Sequence, residues 1–334
     1  MPRLKNIVLI PVASLGILAC VNGVTPADNQ EAIRLGSSSI GSTFYVISVG
    51  LAEMLGKHAG INATVEPLGG SDANMFALGA NKIDIAVVNA GSAFNRYHGN
   101  SIFDKPLDVG LIAQGQESHR YILVRRDAGI AKPEDLVGQT VIGRRPSLPE
   151  LEKITNTLIA EYGLPADKIH VVSTVTSGQT DNELRAGTVG AALLPGGRRM
   201  PLMVQLFNDG LVDFLYLPEV RLRSILAKMP DYFYIRKLPA GTFEGQEQDL
   251  FTPTMKVYLV AGPQVSEGTA YKIAKTLVEN NPELASYHAD GEAWTLENTL
   301  QEPKIPFHPG AIRYFKEAGV WTDELAELQA KLER

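Results

Sequence analysis

Five stretches of the sequence combine glycine with hydroxyl or amide side chains: GSSSIGSTFY at 36–45, GGSDAN at 69–74, NAGSAFN at 89–95, GRRPSLPE at 143–150 and TSGQTDNE at 176–183. These residue types hold a ligand rather than transform it. Ser, Thr and Asn supply neutral hydrogen bonds, and glycine lets a ligand approach the backbone closely. Where a helix follows, its free N–H groups and the positive end of its dipole favour an anion, most simply a carboxylate. The candidate contacts are Ser39, Thr43, Tyr45, Ser71, Asn74, Asn89, Ser92, Arg144 and Ser147. Arg144 is the charged member, because a guanidinium can grip a carboxylate with two parallel hydrogen bonds. Arg145 offers the same chemistry, and which of the two faces the ligand stays open. Arg198 and Arg199, after PGG, are weaker copies of the idea. Taken singly, Ser71, Asp72 and Ser147 read as plain helix caps; the recurrence of one kind of loop is what points to a site.

Catalytic signatures do not accompany these loops. GSSSIG has the spacing of a phosphate loop, but Ser42 and Thr43 follow where lysine would be needed. The sequence has no dinucleotide fingerprint after a strand and no nucleophile elbow. Its six histidines (58, 98, 119, 170, 288 and 308) are scattered, and His308 reads as a helix cap. The single cysteine, Cys20, cannot make a disulfide within the chain or a cysteine zinc site. The reading is therefore of a non-enzyme with no metal and no cofactor. The net charge of −6 argues against nucleic acid and against an anionic membrane surface.

The elements that would position the loops alternate as strand and helix, the pattern of an α/β fold with a largely parallel sheet. In such sheets the loops gather at the carboxyl edge of the strands, where ligands bind. Residues 1–27 read as an export segment: Arg3 and Lys5, then about fourteen mostly apolar residues to Cys20, too short to span a bilayer. Ile17-Leu18-Ala19-Cys20 is similar to a lipoprotein box with Cys20 at the lipidated position. Cleavage after Gly23 or Ala27, or a retained anchor, are the alternatives. The stretch 109–126 is strand-like with a polar centre, and 249–262 is strand-like again; both are expected to cross between two lobes. The first lobe would be discontinuous, 31–114 plus 243–334, and the second would be 115–242. The Ser147–Gly163 segment is expected as a helix capped by Ser147, and 221–241 as a helix with a turn.

GSSSIGSTFY, LGGSDANMFALGANKIDIAVVNAGSAFNRYHG, PEDLVGQTVIG and PFHPGAIRYFKEAGVW together resemble the TAXI group of TRAP-transporter solute receptors, over nearly all of the chain after the export segment. The resemblance implies a two-lobed, type II periplasmic-binding-protein fold, each lobe a mixed sheet flanked by helices, joined by crossing strands. It implies a periplasmic or envelope location, a small carboxylate such as glutamate or 2-oxoglutarate as solute, and an ion-gradient-driven TRAP permease as partner. The paired arginines of GRRPSLPE point to an acidic ligand. A ligand sensor for a membrane kinase, or an enzyme on the same scaffold, remain the alternatives.

Overall fold

The computed structural model describes residues 31–198 and 200–334; the export segment with Cys20, and Arg199, lie outside them. Among the described residues, ten strands form one mixed sheet, whose main path runs β2-β1-β3-β10-β4-β7-β5-β6. Its first end holds β1 (Glu31–Ser37), β2 (Ile61–Pro67) and β3 (Ile85–Asn89), all parallel. Its second end holds β5 (Thr140–Arg144), β6 (His170–Ser173) and β7 (Ala191–Gly196), also parallel. Two long strands join the ends. β4 (Gly110–Arg125) and β10 (Leu250–Ala261) run antiparallel to each other, with register shifts on either side of Tyr258. The two sheets expected from sequence are thus the two ends of one hydrogen-bonded path, because the crossing strands pair with each other and with both ends.

Each end has its own core. Leu35, Ile47, Ile85, Val87, Ile112 and Phe315 belong to one apolar cluster. Tyr121, Leu123, Leu194, Met203 and Phe214 belong to another, and Val124, Val141, Leu158 and Leu222 to a third. The polar middle of β4 lies between these clusters. Gln114, Gln116, Ser118 and Arg120 alternate along it, and all four are buried. The register shift beside Tyr258 places an extra residue of β4 between Gln114 and Glu117; beyond it the regular alternation puts Ser118 and Arg120 on one face of the strand. The Gln114 amide nitrogen donates to the carbonyls of Asn298, Thr299 and Gln301, which ties the C-terminal segment to the crossing.

Helices follow the strands of both ends: α1 (Thr43–Met54), α2 (Ser71–Gly79) and α3 (Ala90–His98) after β1, β2 and β3, then α4 (Glu150–Glu161) after β5 and α5 (Ser177–Ala186) after β6. Further helices are α6 (Pro201–Asn208) and α7 (Glu219–Leu226), and, in the C-terminal part, α8 (Glu267–Glu279) to α12 (Asp323–Leu332). Two sequence expectations need correction. Ser147 does not cap α4; the helix begins at Glu150, with Pro149 at the capping position and no side-chain cap. The 221–241 segment is not one helix with a turn, since Tyr234–Leu238 forms β9 on the edge of β10. The run of aromatic and β-branched residues from Tyr232 to Ile235 carries that strand tendency. The His308 cap is present: its Nδ1 accepts from the Gly310 N–H at 3.1 Å.

Candidate functional site

All five glycine–hydroxyl junctions reach one cavity at the carboxyl ends of the strands. Ser38, Ser42 and Thr43 line it from the first junction, Gly70 and Ser71 from the second, Asn89 from the third, Arg145 and Leu148 from the fourth and Ser177 from the fifth. Ser118 and Arg120 of β4 and Gly196 at the end of β7 complete it. The remaining space is about 30 Å³, room for one or two waters.

The helix starts around this space are held by their own side chains. Ser42 Oγ accepts from the Tyr45 N–H at 3.2 Å, and Asn89 Oδ1 from the Ser92 N–H at 2.7 Å. Thr176 caps α5 in the same way, accepting from Gln179 at 3.1 Å. At α2 the capping position is Gly70, which leaves Ser71 free to act between elements. Its Oγ accepts from the Asn89 N–H at 3.0 Å and ties two junctions together. The hydroxyls of Ser39 and Thr43 are buried without a partner among the described residues.

Two buried arginines supply the charge. Arg120 is 1% exposed; its Nη1 donates to Ser118 Oγ at 2.8 Å and its Nη2 to Glu150 Oε1 at 2.7 Å. Arg145 is 3% exposed and donates to Ser177 Oγ at 3.2 Å. The Nε of each has no partner among the described residues. Burial lowers the Arg145 guanidinium to about 10, with Glu150 opposing and Arg120 reinforcing the shift, so it stays protonated at neutral pH. A buried donor without an acceptor costs free energy. Orphaned donors on two guanidinium groups in one cavity therefore mark a place where an anion would be stabilised. One carboxylate, Glu150, faces the two cations.

The residues expected as contacts divide. Thr43, Ser71 and Asn89 line the cavity. Arg144 does not: it is exposed and paired with Glu152 at 2.9 Å. Consecutive residues at the end of a strand point to opposite faces, and Arg145 is the one turned inward. Asn74 is buried beneath the junctions, donating to the Val87 carbonyl at 3.2 Å. Tyr45 is half-buried and, like Ser39, stands outside the lining. Ser92 lies on a neighbouring cavity with Asp72. Ser147 bridges the two sides of the site: its carbonyl accepts from the Asp72 N–H at 3.2 Å and its Oγ donates to the Gly69 carbonyl at 3.4 Å. Arg198 is exposed and lines a separate hollow with Glu117 and Arg236. Sequence reasoning missed Ser118 and Arg120, whose signal was the polar run QGQESHR through the centre of β4. His119, between them, faces the other way and is wholly buried, with Nδ1 against Thr254 Oγ1 at 2.9 Å; burial pushes it down to about 3.

Among the described residues no cluster of metal-ligating side chains occurs, and no helix is long and apolar enough to cross a membrane. Solved structures share the architecture at low identity. MatC from Rhodopseudomonas palustris with bound malate is 11% identical, with a TM-score of 0.54 over 91% of this chain and 100% of that one. PhnD1 from Prochlorococcus marinus, in complex with methylphosphonate, is 10% identical, with a TM-score of 0.56 over 88% and 100%. The fold is the two-lobed α/β fold of periplasmic binding proteins. The family model that describes the NMT1-like family matches residues 35–319, and the chain belongs to that family.

Proposed function

We propose that the protein is an extracytoplasmic solute receptor that captures a small carboxylate between its lobes and hands it to a membrane permease. The observation that carries this is the pair of buried guanidinium groups, Arg145 and Arg120, each with an orphaned Nε, in a cavity lined by hydroxyls and helix starts from both ends of the sheet. A preorganised anion site of this kind binds without needing chemistry. The guanidinium fork matches a carboxylate. The malate and methylphosphonate carried by the two neighbours support a small anion as the ligand class. The division into a first lobe of 31–114 plus 243–334 and a second of 115–242 is part of this reading, with β4 and β10 as the hinge. So is the TAXI assignment, with an ion-gradient-driven TRAP permease as partner, which rests on the sequence blocks around 36–45, 68–99 and 306–321.

The ligand shifts the equilibrium toward the closed form only through contacts it makes better in that form. A thermal-shift screen of organic acids and amino acids tests the reading. At concentrations well above the dissociation constant, a carboxylate raises the melting temperature by several degrees. If glutamate, malate and 2-oxoglutarate leave it unmoved while neutral compounds shift it, the anion reading is wrong.

A further inference from the structure

A second cavity, of about 480 Å³, adjoins the first along Asn89, which lines both. Its character is different. Asp72 of α2 and Glu150 of α4 line it from opposite sides, with Phe94, Tyr232 and Met229 among its apolar walls. The exposed Lys153 stands at its edge. Glu150 is satisfied by Arg120 at 2.7 Å and approaches the Asn89 amide at 3.5 Å. Asp72 is not satisfied. It is 2% exposed, and one of its carboxyl oxygens has no partner among the described residues. Burial, and then the negative charge of Glu150, push it up to about 7, against a hydrogen bond from Ser92. A carboxylate buried beside a second acid, with no cation bonded to it, is costly to ionise. The cost falls if a cation arrives. The Phe94 and Tyr232 rings, with centroids 5.7 Å apart, add π faces that attract an organic cation. Ser71 lines the arginine cavity and Asp72 the acidic one, so the two sites are set apart by one residue of chain, about 3.8 Å between Cα atoms.

We propose that this side cavity binds an organic ammonium group on Asp72, with Glu150, Phe94 and Tyr232 around it. The ammonium has two sources: the amine of a zwitterionic solute whose carboxylate lies on Arg145, or a separate small amine. The first source rests on the anion-receptor reading; the second does not.

Calorimetric titration of the full chain distinguishes them. One arm compares glutamate with 2-oxoglutarate, which carries the same two carboxylates without the amine. The other arm titrates n-butylamine hydrochloride alone against a sodium chloride control. Each is run on the wild type and on Asp72→Asn. Tenfold or tighter binding of glutamate over 2-oxoglutarate, lost in Asp72→Asn, supports the zwitterion source. Butylamine binding lost in Asp72→Asn supports a separate amine. If neither arm shows binding that depends on Asp72, the proposal is overturned. The anion reading fails separately, when neither acid binds whatever butylamine does. A readout on the wild type alone guards against a variant that does not fold. Amine binding near pH 7 releases a fraction of a proton, seen as a difference in heat between phosphate and Tris buffers; binding without release overturns the proposal.

Discussion

Arg144 and Arg145 are neighbours in sequence, and the strand they end sends them in opposite directions. Arg144 meets Glu152 in solvent, where such a pair contributes little, ~0.5 kcal/mol. Arg145 is buried on the cavity with a free Nε–H. Arg145→Gln therefore weakens binding of the acid found by the screen by ten- to a hundredfold, as expected for a charge-assisted hydrogen bond of roughly 1.5–3 kcal/mol. Arg144→Ala changes it less than threefold. An affinity unchanged in Arg145→Gln, by calorimetry, would show that Arg145 does not grip the ligand. Asp72 makes a prediction of its own about pH. Its folded value near 7 lies above the usual value of 3.8, so between about pH 4 and 7 the folded chain holds a proton that the unfolded chain has lost. The contribution of Asp72 to stability is therefore full below pH 4 and declines as pH rises to 7. Asp72→Asn removes that decline. Urea unfolding of the two proteins at pH 4, 5.5 and 7 should show the variant gaining on the wild type by a few kcal/mol as pH rises; parallel curves would mean that Asp72 titrates alike in the folded and unfolded chain.

The junctions belong to the scale of elements, and there the sequence was informative. Short apolar runs located β1, β3, β5 and β7, and β3 and β7 are buried on both faces; the alternation of strands with helices located β2 and the helices between them. The five glycine–hydroxyl loops were legible as a set because each falls where a strand ends and a helix follows. What the sequence hid was orientation. Nothing local distinguishes Arg144 from Arg145 until the parity of β5 is known, and a buried arginine in the middle of β4 looks like an ordinary solvated charge until the crossing strands are paired. Ser147 and Ser71 read as caps, but tertiary contacts between junctions took them over. β9 was lost inside an expected helix because five residues on a sheet edge leave a weak pattern. The crossing strands also set a steric prediction. A Cβ on Gly115 in β4 would lie 2.0 Å from the Trp294 ring, which is almost fully buried. Gly115→Ala should destabilise the fold by ~2 kcal/mol or more and lower the melting temperature by several degrees. An unchanged melting temperature would show that Trp294 can move aside.

Across the molecule, the site is assembled from both ends of the sheet, and the ends touch at it. The Asp72 N–H donates to the Ser147 carbonyl, and Gly70 packs so closely that a Cβ there would lie 2.4 Å from Ser147 Oγ. About 30 Å³ of free space is too little to admit a carboxylic acid as it stands, so the proposed receptor would have to open for entry, with its ends parting about β4 and β10. Gly70→Val should hold them apart: small-angle scattering would give a larger radius of gyration that the ligand no longer reduces, while the wild type contracts on binding. No difference between the two would argue that closure does not depend on this contact. Whether the junctions hold an anion is decided by a crystal structure grown with the tightest-binding acid from the screen. We expect a carboxylate within about 3 Å of an Arg145 nitrogen, in contact with hydroxyls or amide N–H groups of at least one junction from each end of the sheet. A carboxylate bound anywhere else, with the Arg145 Nε still unpartnered, would contradict that expectation.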